Sequence, residues 1–309
     1  MIDKLSWIAI DWGSTHLRAY AMTQDNQLLN EKTSSQGMGS LTPTAFEPAL
    51  LSLIADWLPP VSAGSHTDQP VSVIACGMVG ARQGWQEAPY QQVPCQPIST
   101  SDMISVSTQD HRIDVKILAG VCQSEPADIM RGEETQIAGL IAETQLTTGT
   151  VCLPGTHSKW VTFNDGEIEH FATYMTGEVF SLLSQQSMLR HTVSSDDWDE
   201  AAFIEGVTHS IEKPEDLLSN CFRLRARDLL QDLAAASARS HLSGLIIGAE
   251  LAGAQALFSG RPIALIGEPV LSDLYAQALH SLDISSHIFD PKQLTLQGLT
   301  QAYQTLVSI

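Results

Sequence analysis

Hydrophobic positions along the chain fall into two spacings, and each change of spacing marks a change of element. Residues 5–11 (LSWIAID) are a near-continuous apolar run closed by an acid, as in a strand buried on both faces. After the turn WGST comes a second strand, HLRAYAM (16–22). The turn residues TQDNQ lead to a third, LLNEKTS, so the chain opens as a three-stranded meander. From 43 to 58 the period becomes helical: Phe46, Leu50, Leu53, Ile54 and Trp57 share one face, with Thr42 placed to cap and Pro43 in the first turn. A Pro/Gly/Ser-rich connection, PPVSAGSHTDQP, precedes the strand VSVIAC at 71–76. Residues 77–112 read as loop-rich, and VKILAG at 115–120 as another buried strand.

The second half repeats this opening. Residues 150–154 (TVCLP) form a strand, GTHS a turn and KWVTF a second strand. NDG then signals a hairpin, and EIEHFATY is the third strand. Helices are expected at 178–190, 199–211, 215–238 and 241–258. The strand PIALIG ends in Gly267, a helix follows over about 269–283, and a last helix covers about 292–308. Two strand–turn–strand–turn–strand units, each with a Gly/Ser/Thr first turn, thus lie half a chain apart. Two copies are too few for a solenoid. Two related lobes, each offering one hairpin to a shared cleft, are expected instead.

Composition narrows the class. A chain of 309 residues has room for two domains of about 150 residues each. With 43% hydrophobic and 17% charged residues it has ample core and is not disordered. The net charge of −19 repels phosphodiesters at long range, which argues against nucleic acid as a partner. It also opposes anionic substrates, so any phosphate or carboxylate site must be built locally from amides, metal and a few Arg. The five cysteines are odd in number and widely spaced, with no CxxC or Cys/His metal pattern, and read as reduced, buried thiols of a cytoplasmic protein. The start, Met-Ile-Asp-Lys, lacks the pattern of a secretory signal. The longest apolar run, Gly244 to Phe258, contains Glu250 and falls short of a ~20-residue membrane span. A homodimer stays open.

The two first turns are the candidate chemistry. A tight turn rich in Gly, Ser and Thr exposes backbone N–H groups that suit phosphate oxygens. Turn one runs from Asp11 through Gly13, Ser14 and Thr15 to His16; turn two runs from Pro154 through Gly155, Thr156 and His157 to Ser158. Asp11 can hold Mg²⁺ directly or through its waters. Turn two has Pro154 at the matching position, so metal handling falls to Asp11 alone. Each turn taken singly reads equally as an ordinary hairpin turn; their pairing in matching meanders favours the phosphate reading. GMVGARQGWQEAPY (77–90) follows a buried strand, where loops of α/β folds build sites. Gly77, Gly80 and Gly84 would let a substrate approach the backbone, Met78 and Arg82 belong to the same loop, and Trp85 and Tyr90 offer ring faces to a sugar chain. The plainer alternative is a packed irregular loop. Gly37-Met38-Gly39 is a weaker candidate of the same kind, and SSDDWDE (194–200) reads as a solvated loop and helix start.

At the motif level the chain resembles a known superfamily. DWGST (11–15) resembles the first phosphate motif of the actin/hexokinase/Hsp70-like ATPase fold, and PGTHS (154–158) its second. LIGEP (265–269) sits where the adenosine motif is expected, SGLIIGAE (243–250) is similar to the helix before it, and MRGEETQ (130–136) to the first interlobe helix. More specifically, DWGSTHLRAY, GMVGARQGWQEAPY, MRGEETQ, LPGTHSKW, MTGE and LSGLIIGAE together resemble the 2-dehydro-3-deoxygalactonokinase family of bacterial sugar-acid kinases. One departure is that Gly155 and Gly267 are single glycines where typical members of the wider fold have two.

The resemblance implies an α/β, two-lobed actin-like ATPase (ribonuclease H-like) fold with duplicated β-meander lobes and a central nucleotide cleft. It implies an N-terminal lobe over 1–131 joined by the C-terminal helix 292–309, and a C-terminal lobe over 132–291. It further implies ATP and Mg²⁺ as cofactors, and phosphorylation of 2-dehydro-3-deoxy-D-galactonate to its 6-phosphate in galactonate breakdown. Alternatives are a kinase of another sugar or aldonic acid, or a non-catalytic ATP-binding regulatory protein of the same fold. Nucleotide contacts fall on Asp11, Gly13, Ser14, Thr15, Gly155, Thr156, His157 and Gly267. Substrate contacts fall on Gly37, Met38, Met78, Arg82, Gly84, Trp85 and Arg131. Phosphoryl transfer to a hydroxyl needs positioning, charge neutralisation and a proton acceptor. Kinases of the fold place a carboxylate near the start of the interlobe helix, which points to Glu133 and Glu134, leaning to Glu134; acids there also favour the helix dipole. Arg131 either binds the substrate carboxylate bidentately or pairs with an acid, and Arg18 reads as a strand-surface charge. His157 and Lys159 lie near the phosphates or serve the structure.

Overall fold

The computed structural model describes residues 4–60, 69–258 and 262–308. In chain order its elements are β1 (Trp7–Trp12), β2 (Leu17–Met22), β3 (Leu28–Ser34), α1 (Phe46–Ile54), β4 (Val71–Gly77), β5 (Tyr90–Gln92), β6 (Ile104–Val106) and β7 (Ile113–Ile117). Then come β8 (Gly120–Gln123), β9 (Asp128–Met130), α2 (Glu133–Thr144), β10 (Gly149–Leu153), β11 (Ser158–Asn164), β12 (Glu167–Tyr174) and α3 (Thr176–Ser181). The chain finishes with α4 (Glu200–Glu212), α5 (Leu217–Gln231), α6 (Ala235–Phe258), β13 (Ile263–Ile266), α7 (Pro269–His280), β14 (Ser286–Phe289) and α8 (Pro291–Val307).

Two compact units divide these elements: residues 1–147, 165–168 and 292–309 in the first, 148–164 and 169–291 in the second. Each holds a sheet in which five strands share one topology, the first adding β6 antiparallel at its edge. The first is ordered β3-β2-β1-β4-β7-β6, the second β12-β11-β10-β13-β14. In both, the opening strand pairs antiparallel with the next and parallel with the strand that follows the first crossover. These are the duplicated ribonuclease H-like meanders, and the α/β fold class stands.

Alternation along β1 explains its unbroken apolar run. Ile8, Ile10 and Trp12 point to the core shared with Phe46, Leu50 and Ile54 of α1. Trp7 and Ala9 point to the opposite core, closed by Leu299 and Ala302 of α8, where Trp7 stacks on Tyr303 with ring centroids 4.5 Å apart. With both faces covered, no polar position is tolerated until Asp11 at the strand's end. α2 also belongs to the first unit. It crosses α8 so closely that a Cβ at Gly139 would lie 2.0 Å from the Leu294 carbonyl oxygen, and one at Gly298 would lie 2.0 Å from that of Thr135. The division therefore falls after residue 147, where the motif-based expectation put it after 131.

Several local expectations are corrected. Thr42 makes no side-chain cap; residues 43–45 form a 3₁₀ turn and the α-helix begins at Phe46. The break expected at 239–240 lies instead after Gln231, where Asp232 takes a left-handed conformation (φ 52°). That lets α6 run unbroken for 24 residues. By length and composition α6 could cross a membrane, but 67% of its apolar window is buried in the protein, as in a core helix. Beyond α3 the expected long helix becomes one π-helical turn and one 3₁₀ turn. Within the run 194–200, Asp199 caps α4 by accepting the Ala202 N–H, and the helix starts at Glu200 as expected. Most of the connection PPVSAGSHTDQP lies outside the described residues.

Candidate active site

In the first unit the sequence motifs meet at the C-terminal ends of the parallel strands β1 and β4, the edge where open α/β sheets place their ligands. Asp11 closes β1 opposite Cys76 of β4. Its Oδ2 accepts from Arg18 Nη1 at 2.9 Å, so Arg18 is a partner of the candidate metal carboxylate and not a plain surface charge. Burial pushes the Asp11 carboxyl above its usual range, and the adjacent guanidinium pulls it back. Beyond Asp11, Ser14 and Thr15 are exposed. The segment 37–39 backs this turn: the N–H groups of Gly37, Met38 and Gly39 donate to the carbonyls of Thr15, Gly13 and Ser14. A Cβ on Gly37 would sit 2.3 Å from the Thr15 carbonyl carbon, so only glycine fits. Gly37 and Met38 thus shape the candidate turn and lie beside it.

α2 starts at the same edge. Gly132, at φ +105°, turns the chain into the helix, and a Cβ there would lie 3.3 Å from Gly77 Cα. Glu134 is 1% exposed. It accepts the Gly132 N–H on both carboxylate oxygens, at 2.8 and 2.7 Å, and the Thr135 hydroxyl at 3.2 Å. Burial pushes its pKa up to about 8, with the neighbouring Glu133 carboxylate adding to the rise. Glu133 accepts the Arg131 N–H at 3.0 Å and is less buried.

The two arginines expected among the substrate contacts differ in setting. Arg131 is buried, its guanidinium carbon sits over the Tyr90 ring at 4.3 Å from the centroid, and Nη2 donates to the Ala88 carbonyl at 2.8 Å. Nε and Nη1 are sealed from solvent without a hydrogen-bond partner. Arg131 therefore holds the 77–90 loop from behind, and the Tyr90 face expected to meet a sugar is already covered. Arg82 is the open cation, with a side chain 80% exposed and a loose pairing to Glu87 at 3.5 Å. Trp85 is half-buried on Phe46 and Trp12, and anchors the loop more than it offers a face. Gly84 packs under the Val79 carbonyl, and Met78 is half-buried in a short 3₁₀ turn.

In the second unit, Gly155, Thr156 and His157 follow β10, and a Cβ on Gly155 would meet nothing within 4 Å. The segment MTGE packs on this turn. Glu178 N–H donates to the Thr156 carbonyl at 3.0 Å, and the Glu178 carboxylate pairs with His157 Nε2 at 2.6 Å. Lys159 is buried, with Nζ donating to the His157 carbonyl, and so braces the turn. Gly267 follows β13, where a Cβ would lie 3.0 Å from the Pro154 carbonyl oxygen. Beneath the turn lies a carboxylate that motif reading missed: Glu250 of α6, 3% exposed, linked to Trp160, Thr176 and Tyr275.

A family model for 2-keto-3-deoxy-galactonokinase matches residues 11–302. The chain belongs to that family. A Rhizobium meliloti (strain 1021) relative, whose name reads Probable 2-dehydro-3-deoxygalactonokinase, is 36% identical over 306 residues and covers 97% of both chains. A 2-dehydro-3-deoxygalactonokinase of Escherichia coli (strain K12) is 32% identical over 279 residues, 89% of this chain and 90% of its own. A Sinorhizobium meliloti crystal structure named for the same activity superposes with a TM-score of 0.89 at 35% identity, covering 98% of this chain and all of its own. This galactonokinase-family chain is thus a sugar-acid kinase, a phosphotransferase acting on an alcohol. Every sequence motif described above, from DWGST at 11–15 to LIGEP at 265–269, falls inside the matched span.

Proposed function

We propose that this kinase transfers the γ-phosphoryl group of ATP to the 6-hydroxyl of 2-dehydro-3-deoxy-D-galactonate, in galactonate breakdown in the cytoplasm, where its free thiols stay reduced. One observation carries this: Asp11, the Gly77–Gly84 loop and the buried Glu134 converge on one edge of the first unit's sheet. Phosphate binding, acceptor binding and proton removal then have adjacent residues to perform them. Ser14 and Thr15 take phosphate oxygens through backbone N–H groups and hydroxyls beside Gly13, whose own N–H is held by the His16 carbonyl, and Thr156 and His157 do the same beside Gly155 in the second unit. Gly267 leaves the nucleoside free access to the backbone.

The residues present fit Mg²⁺ that arrives with the nucleotide. Among the described residues no group of three or more His, Cys, Asp or Glu side chains is arranged as a metal cage. A lone carboxylate suits Mg²⁺, which keeps waters and draws other ligands from phosphates. Asp11 would hold it. When bound, the ion neutralises charge on the phosphoryl group being transferred.

Glu134 accepts the proton of the attacking hydroxyl. A pKa near the working pH is where a general base is most effective, and burial supplies that shift. Arg82 pairs with the substrate carboxylate, while Arg131 keeps the 77–90 loop in place. The test is ADP release, measured by a coupled assay across sugar acids, keto acids and neutral sugars. Release confined to 2-dehydro-3-deoxy-D-galactonate supports the assignment. Turnover with another aldonic acid would move the substrate, and ATP turnover unchanged by every acceptor would end it.

A further inference from the structure

Glu250 sits in the middle of α6, inside the second unit, where a carboxylate needs compensation to exist at all. Three donors bond to it, and the Ser158 hydroxyl also helps to hold its charge. Trp160 Nε1 donates to Oε1 at 2.7 Å, Tyr275 Oη donates to Oε2 at 2.6 Å, and the Thr176 hydroxyl also donates to Oε2. Burial pushes the carboxyl group's pKa upward, and these bonds pull it back.

The partners come from four elements. Trp160 belongs to β11, Thr176 opens α3, Tyr275 lies on α7 and Glu250 on α6. One further bond reaches the turn: Ser158 Oγ lies 3.0 Å from Tyr275 Oη and accepts the Gly155 N–H at 3.4 Å. The direction of these bonds is set by chemistry. An ionised carboxylate only accepts, and the indole N–H only donates. Tyr275 gives its single proton to Glu250, so toward Ser158 it can only accept. Ser158 then gives its proton to Tyr275 and turns its lone pairs to the Gly155 N–H. The charge on Glu250 thereby orients a chain of bonds that ends at the glycine of the turn.

We infer that Glu250, acting through Tyr275 and Ser158, is a positioning residue that fixes the turn 154–158 for the nucleotide's phosphates. This rests on the reading of that turn as a phosphate site. The same carboxylate holds Thr176, and the α3 start packs on the turn, since a Cβ at Gly177 would lie 2.5 Å from the Gly155 carbonyl oxygen. Glu250→Gln preserves volume but places an N–H₂ donor among groups that already donate. Tyr275 must then accept, its proton swings to Ser158, and the Ser158 hydroxyl, with one lone pair taken and its own proton released, is no longer fixed in orientation toward the Gly155 N–H.

The experiment compares Glu250→Gln, Tyr275→Phe, Ser158→Ala and the pair Tyr275→Phe/Ser158→Ala with the full-length enzyme. Tyr275→Phe keeps the ring, so it remains informative if Glu250→Gln folds poorly. The readouts are KM for ATP, KM for the sugar acid, and the melting shift given by a non-hydrolysable ATP analogue with Mg²⁺. KM for ATP should rise about tenfold in Glu250→Gln and Tyr275→Phe, with KM for the sugar acid within about twofold of wild type. The double variant should be no worse than Tyr275→Phe alone, because both act on one chain of bonds. A lower melting point with both KM values moving together would overturn the inference, since that is loss of structure only. Thr156→Val separates the two levels. If it raises KM for ATP while the Glu250 and Tyr275 variants do not, the phosphate turn stands and the inference falls. If it leaves KM for ATP unchanged, both fall.

Discussion

Both carboxylate oxygens of Glu134 accept the same donor, the backbone N–H of Gly132, two residues earlier. The bond depends on the left-handed turn at Gly132, which an L side chain rarely adopts. It fixes the carboxylate at the helix start, buried, with a pKa pushed up to about 8.

A pH dependence follows for catalysis. As a base, Glu134 must be ionised, so kcat should climb as pH rises through about 8 and then level. Glu134→Gln should lower kcat by about 10²-fold, near the low end for general base catalysis because the phosphoryl transition state is loose. The climbing limb should vanish in that variant, with nucleotide affinity nearly intact. A pH–rate profile of both proteins checks this; an unchanged kcat in Glu134→Gln and in Glu133→Gln would place the base elsewhere.

The same group makes a stability prediction. Unfolded, this carboxyl group loses its proton near its ordinary value of 4.5; folded, it keeps it to about 8. Between those values the native state binds the extra proton, so the group's contribution to stability falls as pH rises and levels off above about 8. Glu134→Gln should remove that slope. Denaturant melts at several pH values between about 4.5 and 8.5 measure it.

Asp11 should fail differently from Glu134. Asp11→Ala removes the carboxylate assigned to Mg²⁺, and raising Mg²⁺ should recover part of the rate, whereas Glu134→Gln should be indifferent to added metal. The concentration of Mg²⁺ giving half-maximal rate should rise about tenfold or more in Asp11→Ala. Metal titrations of kcat/KM for the two variants separate the roles.

Two glycines, one behind the first candidate turn and one in the second, should respond in opposite ways. At Gly37 a methyl group meets the Thr15 backbone at 2.3 Å, so Gly37→Ala should cost about 1–3 kcal/mol of stability and distort the first turn. At Gly155 nothing lies within 4 Å, so Gly155→Ala should melt as wild type does. Its methyl group would instead occupy space assigned to phosphate and raise KM for ATP. Thermal melts and nucleotide kinetics on the pair provide the comparison.

Much of this was legible in the sequence because the pattern there is strong. Buried strands with acids or glycines at their ends announced both meanders, and the turns of Asp11 and Gly155 stood where the structure has them. Short elements left less trace. β5, β8 and β9 span three or four residues each, too few for periodicity to separate them from loop. The α5–α6 break rests on Asp232 adopting a left-handed conformation, which residue type alone does not require. Arg131 reads as polar, yet it is buried because Tyr90 and the Ala88 carbonyl receive it. Glu250 was visible as an acid in an apolar run, but its network was not, because its partners at 160, 176 and 275 belong to separate elements. Only the packed fold makes them neighbours.

The most direct measurement is the identity of the product. After incubation with ATP, Mg²⁺ and 2-dehydro-3-deoxy-D-galactonate, ³¹P NMR should show one new phosphomonoester, coupled to the protons on carbon 6, formed in equal amount to ADP. Inorganic phosphate in its place, or a phosphoryl group on another oxygen, would contradict the assignment.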